Sequence, residues 1–307
     1  MMTVFGQEPL NLLPALISII FSTLKYIKDT IFPTYADLKG EICFLTGAGG
    51  GLGREIAIKL AKQGVYMCLC DLNLDSAKVV EAEIIGLGYK AKAYKCDVAN
   101  PQNIAKLAEQ IKKEVGEVTI LINNAGMVSG KRLFEATDSQ INNTFKVNTL
   151  SHFWAARTFI PTMVKRNHGY VVTVASIAAY SATPGLCDYG ASKAALIGFH
   201  DALRMEVQEA ANVKLLCVCP YLIRTPLFNK AKPMKLASIV PTLDPVDVAE
   251  NLVRGIRVGS DFVLMPGAMW GIPLLKAVLP TPVADYINCL LGAETFMDAY
   301  RNKARTE

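Results

Sequence analysis

The sequence predicts an α/β fold built on a doubly wound, seven-stranded parallel sheet with helices on both faces. Three observations lead there. Seven short apolar, β-rich runs alternate with helical stretches along the chain. A glycine-rich turn joins the first run directly to a helix, where such sheets bring backbone close to backbone. The 307 residues are 51% hydrophobic and only 19% charged, enough apolar material for one large core and too little charge for a disordered chain.

The first element stands apart from the sheet. No charge occurs from Pro9 to Leu24, and the run NLLPALISIIFSTL is followed by Lys25 and Lys28. Such a run rises roughly 24 Å as a helix, short of a ~30 Å hydrocarbon core, and Pro14 favours a helix start near it. Glu8 and the lack of a basic residue ahead of the run argue against a cleavable signal peptide. A hydrophobic helix that anchors on a membrane, as a hairpin-like or shallow insertion, is expected, with Lys25 and Lys28 keeping the following domain on the cytosolic side. The other reading is an arm buried on the globular body. With the linker TIFPTYADLKG, residues 1–36 form this anchoring segment and residues 37–307 one domain.

Within that domain the strands read ICFLTG, YMCLCD, KAYKCDV, TILINNA, YVVTVAS, KLLCVCP and DFVLMPG. Helical patterns cover 52–63, 74–85, 101–114 and 189–211, and another long one precedes YVVTVAS and contains Asn148. Ligand sites of doubly wound sheets lie beyond the carboxyl ends of the strands, so the residues closing each run are where chemistry is expected.

Composition excludes several functions. Lys and Arg number 32 against 27 Asp and Glu, a net +5 with no long basic run, so a nucleic-acid footprint is absent while an anionic membrane surface stays open as a partner. The mean hydropathy of +0.28 also favours lipid contact. Eight Cys, mostly inside apolar runs, read as reduced core thiols. Three His, with no HExxH or paired CxxC, give no metal site. The sequon at Asn142, Asn143 and Thr144 falls in a helical pattern of a cytosol-facing domain and is not expected to be glycosylated.

The first strand ends in Thr46-Gly47-Ala48-Gly49-Gly50-Gly51-Leu52-Gly53, and a helix begins at once. Gly47, Gly51, Leu52 and Gly53 let backbone N–H groups approach a pyrophosphate at the helix N-terminus, the Rossmann-like arrangement for a dinucleotide. Asp71 closes the second strand, where its carboxylate accepts from an adenine-ribose 2′-OH and repels a 2′-phosphate. That favours NAD; Arg54 is able to offset a 2′-phosphate, so NADP stays open. Asp97 and Val98 suit the adenine edge, and Asn124, Ala125 and Gly126 allow close approach beside the cofactor.

Tyr189 and Lys193 stand four apart on one helix face, with Ser176 at a strand end thirteen residues before Tyr189 and Asn148 in FKVNTLS. A phenol of pKa ~10 becomes a usable base when a nearby ammonium and a positive nicotinamide ring stabilise its anion. Tyr189 then exchanges a proton with an alcohol oxygen, Ser176 holds that oxygen, Lys193 binds the nicotinamide ribose and Asn148 orders a relay water.

With these residues in place, the chain from about residue 39 to 267 resembles the short-chain dehydrogenase/reductase family. TGxxxGxG at 46–53, NNAG at 123–126, Ser176 and YxxxK at 189–193 carry the resemblance. It implies the same roles for these residues, a cofactor contact at Pro220, and Thr225 near the carboxamide. The family's Pro-Gly after the sixth strand is Pro220-Tyr221 here, a departure at the local turn. The apolar amino-terminal segment, ILINNAGMVSGK and the carboxy-terminal LDPVDVAENLVRGI, FVLMPG and MDAY resemble its membrane-associated retinol and 17β-hydroxysteroid dehydrogenases. That implies a lipid alcohol or carbonyl substrate, the endoplasmic reticulum membrane or lipid droplets, and a homodimer through the two long helices containing Asn148 and Tyr189.

The loop 221–240, apolar with Lys230, Lys232 and Lys235 interspersed, is expected to cover a greasy substrate and meet headgroups. In 262–284 only Lys276 is charged, but Pro266, Pro273, Pro280 and Pro282 forbid a regular spanning helix, so a lipid-facing surface near the pocket mouth is expected. NAD-linked oxidation of a lipid hydroxyl is the leading expectation. An NADPH-linked reductase of a lipid ketone or aldehyde is the second, and a membrane scaffold retaining the fold the third.

Overall fold

The computed structural model describes residues 12–229, 231 and 241–301. Residues 1–11 of the apolar run and the loop lysines Lys230, Lys232 and Lys235 lie outside the described residues. The chain forms two compact units that meet in sequence at Ala36 and Asp37.

The first unit holds helix α1 (Leu12–Ile31), which begins two residues before Pro14. Ile19, Phe21 and Leu24 on it are exposed. Lys25, Lys28 and Asp29 fall in its last third. Among the described residues no helix is long and apolar enough to cross a membrane.

In the second unit, seven strands form one parallel sheet: β1 (Ile42–Thr46), β2 (Tyr66–Asp71), β3 (Ala91–Lys95), β4 (Ile120–Asn123), β5 (Gly169–Val174), β6 (Val213–Pro220) and β7 (Phe262–Met265). Their order is β3-β2-β1-β4-β5-β6-β7. Phe44, Leu69, Leu121, Val172 and Cys217 are all buried, because helices cover both faces of an all-parallel sheet. The order reverses between β1 and β4, so a crevice opens at their carboxyl ends.

Local sequence explains where the covering helices begin. Helix α2 (Gly51–Ala61) starts at the glycine turn and buries Ile56, Ala57 and Leu60. Helix α3 (Leu74–Gly86) is capped by Asn73, which accepts from the backbone N–H of Asp75 and Ser76. Asn100 caps α4 (Pro101–Glu114), with proline at the first helical position.

The single long helix expected around Asn148 is instead broken into α5 (Asp138–Phe145), a π-turn at Lys146–Leu150, and α6 (Ser151–Arg166). The extra residue of a π-turn shifts the helix face locally, a common device beside functional sites. Helix α7 (Cys187–Glu206) carries the YxxxK pair, and α8 (Pro245–Val258) is capped by Asp244.

Prolines divide the carboxy-terminal apolar stretch. Helix α9 (Gly271–Val278) is followed by α10 (Thr281–Leu290), which has proline in its first turn, and then by α11 (Asp298–Arg301). Six cysteines are buried, Cys187 and Cys289 are exposed, and all eight are free thiols. His152 and His200 are buried, whereas the exposed His168 pairs with Glu41.

Candidate active site

The ends of β1 and β4 are locked together by two side chains. The Thr46 hydroxyl accepts the backbone N–H groups of Asn124 and Ala125, each at 3.0 Å. The Asn124 amide donates to the carbonyls of Thr46 and Gly47 at 3.0 and 3.1 Å. Asn124 therefore shapes the crevice while its amide hydrogens are spent on backbone. Thr46 carries the lock although only its place ahead of the glycines drew notice in the sequence.

This lock leaves a crevice of about 510 Å³ lined by Gly47, Gly50, Gly51, Leu52, Gly53, Asp71, Asn124, Ala125, Gly126, Ser176, Tyr189, Lys193, Pro220 and Thr225. Its volume lies within the usual range of cofactor sites. The N-cap of α2 is Gly50, which supplies no capping side chain, so the first-turn N–H groups suit an anion. Asp71 accepts from Gly49 N–H at 2.8 Å and from Asn73 N–H at 2.9 Å, bracing the glycine turn from the end of β2.

Three sequence-derived residues fall outside this lining. Asp97 accepts from Ala99 N–H at 2.9 Å, and Val98 is buried in the core. Both sit one strand away from the crevice, where Cys96 N–H donates to the Asp71 carbonyl. Asn148 is fully buried: its Oδ1 accepts Met127 N–H at 2.8 Å, and its amide donates to Met127 O and Ser192 Oγ at 2.9 and 3.1 Å. With both amide hydrogens committed, the side chain ties the segment after β4 to α7.

A network absent from the sequence reading extends this tie. Thr144 donates to the buried Asp188 at 2.8 Å, Asp188 accepts Tyr189 N–H at 2.8 Å, and Thr149 donates to Ser192 O at 3.0 Å. Ser192 Oγ donates to Tyr189 O at 2.7 Å. The π-turn brings Asn148 and Thr149 to α7 together, so the helix bearing the YxxxK pair is held along its first two turns. A polar Asp188 and Ser192 within an apolar helical run were the signals available for it.

The reacting groups meet at a junction. Ser176, Tyr189, Tyr221 and Phe228 line both the crevice and a second cavity of about 540 Å³. That cavity is walled by apolar residues such as Ile177, Leu186, Met269, Leu275 and Leu291. Ser176 lies against the Tyr189 hydroxyl and lowers its pKa, but burial outweighs it and pushes the phenol up to about 12. Lys193 Nζ donates to Val174 O at 2.8 Å and lies 5.8 Å from the Tyr189 ring centre. Its ammonium, which is only 3% exposed, is brought down by burial from 10.5 to about 8. Desolvation dominates both groups, and the chain's own residues keep the phenol protonated.

The Lys193 shift carries a stability consequence. Its pKa in the folded chain lies below the unfolded value, so the folded state sheds its proton first, and this group adds stability as pH climbs from about 8 to about 10.5. Over that window the wild type gains about 3 kcal/mol relative to Lys193→Met, at ~1.4 kcal/mol for each pH unit. Urea midpoints of both proteins at pH 7 and pH 10.5 measure it, and parallel midpoints would show that the amine is not buried in solution.

The short chain dehydrogenase family model matches residues 41–236. The chain belongs to this family. Estradiol 17-beta-dehydrogenase 11 of Homo sapiens is 37% identical over 278 residues, covering 90% of this chain and 91% of that protein. Epidermal retinol dehydrogenase 2 of Homo sapiens is 34% identical, with 91% and 93% covered, and retinol dehydrogenase 10 of Bos taurus is 33% identical, with 86% of each covered. Among solved structures, a short chain dehydrogenase/reductase from Burkholderia phymatum in complex with NAD superposes with a TM-score of 0.72 and 25% identity, over 78% of this chain and 94% of that one. This short-chain dehydrogenase is a nicotinamide-dependent oxidoreductase acting on CH–OH groups. The glycine turn, the uncapped α2 and the buried Lys193 amine fit such a cofactor.

Proposed function

We propose that this dehydrogenase oxidises the hydroxyl of a lipid alcohol of retinoid, steroid or long-chain type, with NAD as its cofactor. One observation carries the reading: the Ser176 and Tyr189 hydroxyls stand where the glycine-lined crevice opens into the apolar cavity. An alcohol buried there places its oxygen between the two hydroxyls while its hydrocarbon body is covered. Burying ~150 Å² of apolar surface contributes roughly 4 kcal/mol, so a greasy substrate is favoured over a small polar one.

A nicotinamide cofactor supplies, when bound, the hydride acceptor and a positive charge beside the phenol. Ser176 Oγ would hold the substrate oxygen; with the positive charges of a bound nicotinamide and of Lys193 favouring loss of the phenol's own proton to solvent, the Tyr189 phenolate would take the alcohol proton, and the buried Lys193 amine steadies that phenolate. Asn148, Thr149 and Asp188 hold α7 so that these groups stay in register. The protonated Tyr189 phenol is equally suited to give its proton to a carbonyl, which supports the reverse reduction as the second reading.

NAD is favoured over NADP by two side chains. Asp71 lines the crevice at the end of β2. Arg54 is not offered to a 2′-phosphate, because its guanidinium pairs with Glu83, through Nε at 2.9 Å and a second contact, and with Glu55. In Asp71→Ala, NADH affinity falls about tenfold, the ~1.4 kcal/mol or more of a charge-assisted hydrogen bond, and NADPH affinity rises relative to it. Fluorescence titration of both proteins with both nucleotides is the check, and NADPH preference unaffected by the mutation would exclude the NAD assignment.

Exposed Trp270, Leu274, Val278, Tyr286 and Leu290 on and beside α9 and α10, with the exposed apolar face of α1, support residence on the endoplasmic reticulum membrane or a lipid droplet with the catalytic unit facing the cytosol. Exposed Leu150, Phe153 and Met205 on and next to α6 and α7 support a homodimer. The function is tested by assaying retinol, a steroid alcohol and a long-chain alcohol with NAD⁺ and NADP⁺ in detergent and in vesicles. Formation of reduced nucleotide from none of them would overturn the reading.

A further inference from the structure

The segment 292–301 follows α10 and takes no part in the chemistry described above. It is nevertheless packed like core: Ala293, Phe296 and Met297 are 2, 7 and 1% exposed. Some of its neighbours, Leu227 and Phe228, belong to the site. Phe296 lines the apolar cavity and stands 6.3 Å from Phe228, whose ring meets that of Tyr189 edge-on at 5.6 Å. Met297 covers Gly185, just ahead of α7, so closely that a Cβ there would come within 2.9 Å of it. Tyr300 rests on Gly130, where a Cβ would meet its ring at 2.8 Å, and its hydroxyl donates to Leu227 O at 2.9 Å.

Leu227 and Phe228 also wall the cofactor crevice, immediately after Thr225. Among the described residues of the loop that carries them are one bridge between Ile223 and Leu243 and the short 3₁₀ turn Pro226–Phe228. Its carbonyl at Leu227 and its ring at Phe228 are fastened from outside, by Tyr300 and Phe296. One short segment thus touches the cofactor wall, the substrate wall and the Tyr189 ring together.

We propose that Tyr300 is a positioning residue that holds the 225–228 turn against the cofactor, and that Phe296 sets the depth of the substrate cavity through Phe228. This rests on the assignment of the two cavities given above. Loss of the Tyr300 hydrogen bond lets the turn open locally, which weakens cofactor binding without touching any group that takes part in hydride or proton transfer. Truncation of Phe296 leaves its own volume as added cavity beside Phe228, and longer or bulkier substrates then fit where they were excluded.

The full-length chain in detergent provides the test. Tyr300→Phe keeps the ring on Gly130 and removes the hydroxyl from Leu227. Its NADH affinity is expected to fall about three- to tenfold, with faster amide exchange in 225–229 and a melting temperature, measured without nucleotide, within about 3 °C of wild type. Phe296→Ala is expected to raise the ratio of kcat/KM for a longer over a shorter alcohol by about tenfold, with NADH affinity within twofold of wild type. Equal NADH affinity and equal exchange in wild type and Tyr300→Phe would overturn the positioning role. An unchanged substrate ratio in Phe296→Ala would overturn the depth role. A wild type that binds no NADH would overturn the proposed function and this inference with it, whereas a wild type that binds as its variants do overturns this inference alone.

Discussion

Tyr189→Phe is expected to lower turnover of the lipid alcohol by about 10³-fold, within the ~10²–10⁴ that general acid–base groups contribute, while leaving NADH affinity within twofold. The ring is held by Leu186, Phe228, Phe296 and Met297, and phenylalanine keeps all of that packing. What leaves is one hydroxyl, which lies beside Ser176 and faces both cavities. Because burial holds the phenol near 12, its proton is costly to remove, and any rate the enzyme achieves must come from charge assembled around it. Lys193→Met is therefore expected to cost as much as Tyr189→Phe when both are assayed at pH 7, and the double variant little more than either, since the two act as one unit. Stopped-flow single turnovers separate chemistry from binding. Undiminished single-turnover rates in Tyr189→Phe would remove the phenol from the mechanism.

The sheet was legible because each strand is a short apolar run ending in a turn residue. All seven runs from ICFLTG to DFVLMPG became strands, in one sheet with its reversal at the glycine turn. The motif residues converge for the same reason: Gly47, Asp71, Ser176 and Pro220 close or follow strands, so the topology gathers them at one edge, where α7 adds Tyr189. What the sequence could not show was competition for hydrogen bonds. Asn148 and Asn124 carry amides able to serve a ligand, but the fold spends them on Met127, Ser192, Thr46 and Gly47. Nor does periodicity register a π-turn, since inserting one residue into a helix leaves the apolar pattern on either side intact. The sign of the Tyr189 shift was equally hidden, because it depends on how deeply both Tyr189 and Lys193 are buried, and spacing alone shows only that they share a helix face. The place of the carboxy-terminal segment is set by two distant glycines, Gly130 and Gly185, whose missing side chains make room for Tyr300 and Met297.

Gly53→Ala is expected to weaken NADH binding at least about 100-fold and to lower the melting temperature as well, since both depend on the same contact. A Cβ built on Gly53 would lie 2.0 Å from Gly47 O and 2.9 Å from the Asn124 amide nitrogen. Those two atoms are partners in the bond that locks β4 to the glycine turn. Backbone cannot yield as a flexible side-chain tip does, so α2 must move away from β1, and overpacking of this kind costs at least ~1–3 kcal/mol in stability. The same movement tilts the first-turn N–H groups of α2 away from the crevice, which is why affinity falls with stability. Gly50→Ala separates the two effects. Gly50 has extended backbone that any residue adopts, and a Cβ there meets nothing within 4 Å, yet the residue lines the crevice. Its alanine variant is expected to melt with the wild type and to lose NADH affinity about tenfold, because the methyl stands where a pyrophosphate must approach the backbone. If Gly50→Ala instead binds NADH as tightly as wild type while Gly53→Ala does not, the glycine turn serves only the packing of α2 on β1. The anion would then have to lie elsewhere in the crevice.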